Sequence, residues 1–516
     1  MKYFDNLVIG AGIGGTYLTA RLKKIKPYET ILLIDKKEEY GGQQISTITN
    51  DNVAIELGPI RFYESIHLRV LYLAKKYNSP LIQYLPSFTG QVMYLRDKPY
   101  NASNLFPDSD KSYNINANEI GKDPFVLLVN NLQKLIPNID ELYKLEYRIQ
   151  LLKDYPEFSI KTFQDLAQMD ISQENWQRIM DIIGYYDLLS NKSAFIINAL
   201  ELLVLSNKSE IQYRFKKGYS SLTRLIAYHN KISTITFNKI NNKINNNNKN
   251  IPKTSCLFNT QILKITKCKY SNLWIVKCGY TIVNSTEQIN NKIIKIEYIK
   301  VKNIYYCAPI PFLSNIYNFN NTYLNYLKDS FLSLSAIRIY LRYSEDWMTQ
   351  RGIELGKSVT TLPGGQIVHY DDKYVMFYVF GSQANVLYSK FPSKQIQKNL
   401  IKPTKDTYSL ITECNKILKT TFSIKENLPP VTGIAWATWI SPFRLYTARN
   451  LQTLDNNTTL VSMLDKLMFP FGKNGNFYIM SNEIGLSTAW VEGSLENVDY
   501  FFNKKYNQPL FGPEML

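Results

Sequence analysis

The stretch "VIGAGIGG", residues 8–15, constrains this chain more than any other. The short apolar run before it, "FDNLVI" at residues 4–9, reads as a buried strand. A helix is predicted from Gly14 to Lys26, and a second apolar strand, "TILLID", ends at Asp35. This is a strand–helix–strand unit of about 30 residues. Gly10, Gly12 and Gly15 form a GxGxxG pattern, with Gly14 inside it. The first glycine permits a tight turn and the second lets backbone approach a pyrophosphate. The third lets the helix pack closely on the sheet. The helix amino terminus then offers N–H groups and a positive dipole end to phosphates. Asp35, 20 residues beyond Gly15, suits the hydroxyls of a ribose. The expected fold is therefore α/β, built on a Rossmann-type dinucleotide-binding domain.

The rest of the chain is too long to be that unit alone. With 516 residues, 45% of them hydrophobic, it has material for two or three domains. From about 120 to 210 the apolar spacing turns helical, as in "PFVLLVNNLQKLI", "NWQRIMDIIGYY" and "SAFIINALELLVLS". After 255, "CLFNTQILKITK", "LWIVKCGYTIV", "IIKIEYI" and "NIYYCAP" read as successive strands. Residues 238–250, "NKINNKINNNNKN", cannot bury enough apolar surface to order themselves and read as a loop insertion. The net charge is +17, which favours anionic ligands or surfaces. The lysines are dispersed rather than clustered, which weighs against a nucleic-acid-binding protein. Five cysteines without CxxC spacing point to reduced thiols and a cytoplasmic setting. The longest apolar run, "AFIINALELLVL", contains Glu201 and is too short to span a bilayer, so no membrane association is expected. No metal-binding pattern stands out.

A second stretch raises a chemical question. In "IELGPIRFYESIH", residues 55–67, Arg61 stands among Ile55, Leu57, Pro59, Ile60 and Phe62. An uncompensated guanidinium in buried surroundings would cost several kcal/mol, roughly. Either Arg61 points outward, or an anion meets it; Glu56 and Glu64 are candidate internal partners.

The glycine pair Gly41–Gly42 resembles the second glycine pair of the flavin amine oxidase family, where the chain passes close to the flavin diphosphate. Gln43 stands where that family usually has arginine. "ELGPIRFYESIH" resembles the segment that follows this pair in L-amino acid oxidases. Glu56, Gly58, Pro59, Arg61, Phe62 and His67 match, while Ile60 replaces methionine and Tyr63 replaces proline. The resemblance implies that Arg61 grips the substrate carboxylate, a planar two-point contact that guanidinium makes well. Pro59 and Ile60 would lie against the flavin.

Further matches follow in the same order. "RIYLRYSEDWMTQRGIELGKSVTTLPGGQIVHY", residues 338–370, resembles the substrate-domain sheet of these oxidases. There a tyrosine is the second partner of the carboxylate; the alignment falls on Tyr370 or His369. Arg338 stands where a lysine usually bridges through water to flavin N5 and promotes reaction with oxygen. "FKKGYSSLTRLI", residues 215–226, is similar to the family's glycine-containing stretch. "TQILKI" resembles the strand whose backbone touches adenine near Ile262. "NFYIMSNEIGLSTAWVEGSLENV" resembles the closing flavin motif, with Glu483 at the ribityl–phosphate region and Trp490 beside the isoalloxazine. No cysteine follows Cys414, so the implied FAD is non-covalent.

The resemblance implies a discontinuous FAD-binding domain (1–65, 211–325 and 451–516). An inserted α+β substrate-binding domain (66–118 and 326–450) and a helical subdomain (119–210) complete the chain. The implied reaction is oxidative deamination of an L-amino acid by hydride transfer from Cα to flavin N5. It yields an imino acid, then a 2-oxo acid and ammonia, with molecular oxygen as acceptor and hydrogen peroxide as by-product. A homodimer is compatible with this reading. Two alternatives are a monoamine or polyamine oxidase, and a flavin-fold protein with a structural or nucleic-acid-binding role.

Overall fold

The computed structural model describes residues 1–84, 90–184, 195–196, 199, 210–237, 252–281, 293–319, 331–446, 459–487 and 490–511. The Asn-rich 238–250 segment and most of "SAFIINALELLVLS" lie outside these.

The strand Lys2–Ile9 occupies the middle of an eight-stranded sheet, its inner residues Leu7 and Val8 fully buried. It pairs in parallel with Ile31–Ile34 on one side and Ile293–Tyr306 on the other. Thr254–Leu257 and Ser233–Ile235 extend the parallel part beyond Ile31–Ile34. Along its other edge the 14-residue strand Ile293–Tyr306 serves two neighbours. Its first half pairs antiparallel with Trp274–Thr281, and its last residues pair with Phe477–Ile479. Burial on both faces explains the continuous apolar run of Ile31–Ile34 and the apolar end Leu7–Ile9 of the central strand. The helix Ile13–Ile25 crosses over between them, with Lys23 and Lys24 at its negative end. The protein is thus a mixed α/β protein with a Rossmann-like dinucleotide-binding domain at its amino terminus.

One expected strand is two. "CLFNTQILKITK" divides into Thr254–Leu257, a parallel member of the sheet, and Thr260–Lys267, which opens an antiparallel meander. Asn259 makes the break at φ +52°, in the left-handed region that asparagine tolerates.

A second eight-stranded sheet is mostly antiparallel. Its order is Ile396–Ile401, Val431–Tyr446, Phe331–Tyr343, Tyr374–Phe380, Gln366–Asp371, Gly356–Thr360, Val92–Leu95 and Lys98–Asn101. The period-2 alternation of Phe331–Tyr343 assigns its faces. Ile337, Ile339 and Leu341 pack against Leu410, Cys414 and Ile417 of the helix Lys405–Thr421. The opposite face carries Tyr340, Tyr370, Tyr374 and Met376, and buries Val53, Ile55, Leu57 and Ile60. The apolar residues around Arg61 are therefore the lid of this sheet.

Chain exchange between the two sheets begins later than residue 66. The helix Leu68–Lys76 packs on the Ser220–His229 and Val491–Tyr506 helices, and Leu81–Gln83 joins a three-stranded sheet with Gln212–Phe215 and Phe62–Tyr63. Pairing with the second sheet starts at Val92. Apolar residues on the helical side of "IHLRVLYLAKK" face the nucleotide-binding helices, which accounts for the difference.

A buried ionic network locks these helices together. Arg69 binds Glu492 at 3.0 Å and Asp499 at 2.6 Å; Arg21 also binds Asp499, and Arg148 binds Glu496. Glu492 in addition accepts the Arg69 and Val70 N–H groups, each at 3.0 Å, and so caps the helix Leu68–Lys76 from another helix. Three guanidinium groups face three carboxylates, a balanced set. Among the described residues no helix is long and apolar enough to cross a membrane.

Candidate active site

The glycine loop lies at the carboxyl ends of the parallel strands, where open α/β sheets bind ligands. Gly10 takes φ +105°, and a Cβ there would press on the Cys307 and Ala308 backbone at 3.1–3.2 Å. A Cβ on Gly15 would stand 1.9 Å from the Gly10 carbonyl oxygen, so the helix approaches its own strand only because this residue has none. A Cβ on Gly14 would stand 3.5 Å from Ser494 of the Val491–Tyr506 helix, an ordinary contact. Gly12 differs. Its Cβ would project into the cradle between two glycine segments, 3.8 Å from Gly41 O and Gly42 Cα. Gly12 bridges Gly41 as an isolated parallel pair, and Gly42 takes φ +62° beside it. No side chain caps the Ile13–Ile25 helix and its first turn holds no acid, so its N–H groups and dipole suit a pyrophosphate. We expect Gly15→Ala to lose its bound nucleotide and about 1–3 kcal/mol of stability, measured by the spectrum of the purified protein and by thermal unfolding. Gly121→Ala, whose Cβ would meet nothing within 4 Å, supplies a comparison for backbone strain alone.

Asp35 ties this loop down. Its carboxylate accepts the Ala11 N–H at 2.6 Å and the Lys37 N–H at 2.8 Å. Each oxygen retains a second lone-pair direction for a ribose hydroxyl. Burial pushes the Asp35 carboxyl up while the two N–H donors favour its ionised form. The strand Thr260–Lys267 starts beside it, the Thr260 N–H donating to the Asp35 carbonyl, and Ile262 sits at a bulge opposite Cys278. Glu483, buried, accepts the Ile310 N–H at 2.6 Å, just beyond the strand Ile293–Tyr306. Gln43 is exposed, whereas its neighbour Gln44 is buried and accepts from Thr223.

Residues 8–75 match the family described as NAD(P)-binding Rossmann-like domain. Over 97% of its length the chain aligns, at 22% identity, with "Uncharacterized protein R188" of Acanthamoeba polyphaga mimivirus, covering 94% of that protein. The matched domain carries the glycine loop, Asp35, Gly42 and Arg61, and is consistent with an oxidoreductase that uses a nucleotide cofactor.

Beyond the loop, the Arg61 segment meets the carboxy-terminal motif. Trp490 precedes the helix Val491–Tyr506, and its ring lies 4.6 Å from His67 and 5.6 Å from Tyr63. The Arg61 guanidinium, half-buried, donates to the Tyr63 hydroxyl at 3.3 Å and stands 5.7 Å from the Tyr63 ring and 5.9 Å from the Tyr84 ring. Burial and the Arg61 charge push His67 down to about 3, so it is a neutral imidazole whose Nδ1 accepts the Tyr63 N–H.

The two candidate acids are engaged elsewhere. Glu56 accepts from the Ser46 hydroxyl and the Tyr219 N–H, each at 2.6 Å, and Glu64 accepts from Tyr213 at 3.5 Å. Burial raises Glu56 to about 8, against hydrogen bonds and nearby arginines that favour its charge. A carboxyl raised on folding binds a proton that the unfolded chain releases. Its stabilising contribution is full below about 4.5 and is lost as pH rises toward 8. Glu56→Gln should flatten that decline, on the order of a few kcal/mol, in thermal unfolding followed from pH 5 to 8.

Strand alternation separates the two aromatic candidates on Gln366–Asp371. His369 points away from the Arg61 segment, its ring nitrogens on the Ile353 and Asp372 carbonyls at 2.9 and 3.3 Å. Tyr370 points toward it, donating to the Ala54 carbonyl at 2.7 Å, with its ring 5.0 Å from Tyr340. Arg338 is buried; it donates to the Glu56 and Gly58 carbonyls and lies 4.1 Å over Tyr378. It therefore staples the Arg61 segment to the second sheet. Sequence reasoning missed Arg214, whose guanidinium lies 5.0 Å over the Tyr370 ring, and Tyr84. Neither carries a local signal.

Proposed function

We propose that the protein binds FAD non-covalently and oxidatively deaminates L-amino acids. The glycine loop, Asp35, Gly42, Ile262 and Glu483 would hold the cofactor, with Pro59, Ile60 and Trp490 near its ring. When bound, the flavin supplies a two-electron acceptor for the substrate Cα hydride. Arg61 would fix the carboxylate by paired charge-assisted hydrogen bonds, with Tyr370 as the expected second partner. The positive field of Arg61 favours loss of the ammonium proton, leaving the neutral amine from which hydride departs readily. Oriented binding of this kind lowers a barrier by several kcal/mol, roughly. The resulting imine hydrolyses to a 2-oxo acid and ammonia. Oxygen is the proposed acceptor, reacting slowly because Arg338 stands in place of lysine and does not deprotonate.

One observation carries this reading. Arg61 donates to the Tyr63 hydroxyl, and the Tyr63 ring lies 5.6 Å from Trp490, which joins the two segments that the reading assigns to substrate and flavin. The test is the purified protein itself. We expect visible flavin absorbance, and production of 2-oxo acid, ammonia and peroxide from at least one L-amino acid in air. Protein that takes up no flavin, even when refolded with FAD, contradicts the proposal.

A further inference from the structure

Lysines that lie dispersed along the chain converge where the nucleotide-binding sheet turns antiparallel. Thr260–Lys267, Trp274–Thr281 and the first half of Ile293–Tyr306 form a three-stranded meander, and Lys2–Ile9 runs alongside. One face is core, with Ile262, Ile265, Val276, Cys278 and Ile299 buried. Strand alternation sends the residues between them to solvent. In register, Lys264 stands directly across from Lys277, and Lys277 from Tyr298. The next row runs Thr266, Ile275, Lys300 and Tyr3. Lys264 and Lys300 are exposed, Lys277 is half-buried, and Tyr298 and Tyr3 are 47% and 48% exposed. Tyr270, in the turn between the first two strands, is 96% exposed.

Like charges directly opposed on a sheet repel. Among the described residues, the Lys264, Lys277 and Lys300 side chains have no hydrogen bond or ion pair. Glu297 pairs with Cys278 and so belongs to the buried face. Asp5, the acid on the neighbouring strand, accepts the Thr30 N–H and hydroxyl at 2.8 Å and the Tyr3 hydroxyl at 3.0 Å, with Lys302 beside it. The face is thus a flat sheet of unanswered cations with tyrosine rings among them. Its charge complements a polyanion, and its rings suit a polyanion that also presents flat faces.

We propose that this face binds single-stranded nucleic acid, with Lys264, Lys277 and Lys300 on phosphates and Tyr298 and Tyr270 stacked on bases. Lys277 and Lys300 stand a row apart, about 7 Å along the strands, placed to meet neighbouring phosphates. A duplex is read by a helix or ribbon inserted in its groove, which a broad flat face does not supply. An anionic membrane calls for protruding apolar anchors, whereas here Ile275 is half-buried and Ile296 stands exposed at one end. None of these residues belongs to the glycine loop or the Arg61 segment.

The experiment titrates the full chain into fluorescein-labelled oligo-dT and oligo-U of about 20 nucleotides, longer than a typical single site, and follows anisotropy from roughly 50 mM salt upward. At least one oligonucleotide should bind, more weakly as salt rises. Lys264→Gln with Lys277→Gln should raise Kd about 10-fold or more and lower the slope of log Kd against log salt by about 1.4, the share of two single-strand phosphate contacts. Tyr298→Ala should weaken binding about 5- to 100-fold and leave that slope unchanged. Lys402→Gln with Lys405→Gln removes the same charge from exposed positions beside the second sheet and should change neither. An equal loss in that pair, or equal competition by polyglutamate, reduces the effect to net charge and overturns the proposal. Binding to phosphatidylserine vesicles with none to either oligonucleotide overturns it too, as does no binding to any probe at low salt. Amino-acid turnover plays no part in these readouts, so either result leaves the proposed function standing.

Discussion

Arg61→Ala should lower kcat/KM for L-amino acids about 10²–10³-fold, the loss expected when one partner of a desolvated, hydrogen-bonded charge pair is removed. The amine formed by decarboxylating the same amino acid never used that contact, so the ratio of amino-acid to amine turnover should fall by the same factor. Arg61→Lys keeps the charge but not the planar fork and should recover only part of the loss. Of the acids nearest in sequence, Glu56 accepts from Ser46 and Tyr219, and Glu64 accepts from Tyr213. Steady-state kinetics with one amino acid and its amine suffice. An unchanged ratio would show that Arg61 recognises no carboxylate.

The second large effect is on stability. Arg69→Met should cost about 3–5 kcal/mol, because it leaves Glu492, Glu496 and Asp499 short of positive charge in a buried position. Arg21 and Arg148 still cover Asp499 and Glu496, so the burden falls on Glu492, whose carboxyl burial already pushes up to about 7. The variant should unfold at lower temperature. It should also weaken cofactor retention, since Glu492 follows Trp490 by two residues. Denaturant unfolding monitored by two probes measures the first effect, and the spectrum after gel filtration the second.

The parts legible in the sequence were those whose chemistry is local. The glycine loop, its helix and Asp35 lie within 35 residues, and each glycine's role follows from one steric demand. The apolar setting of Arg61 was visible too, and the structure gives its cause: Ile55, Leu57 and Ile60 bury under the second sheet. Arg214 was not legible. Its strand meets the Arg61 segment only through pairing of residues about 150 apart in sequence. Arg338 was legible as a substituted position, but its hold on the Glu56 and Gly58 carbonyls depends on the facing of two separate elements. The break at Asn259 was hidden because both halves of "CLFNTQILKITK" are equally strand-like. The helix Leu68–Lys76 shows the same limit, since its apolar face is plain and its partner helices are not.

The central claim is that a guanidinium beside the Trp490 wall selects amines that carry a carboxylate. Anaerobic mixing of the flavin-loaded protein with an L-amino acid, its D-enantiomer and its decarboxylated amine tests this most directly. The account predicts rapid loss of flavin absorbance with the L-amino acid alone. Equal bleaching by the amine, or none by any L-amino acid, would contradict it.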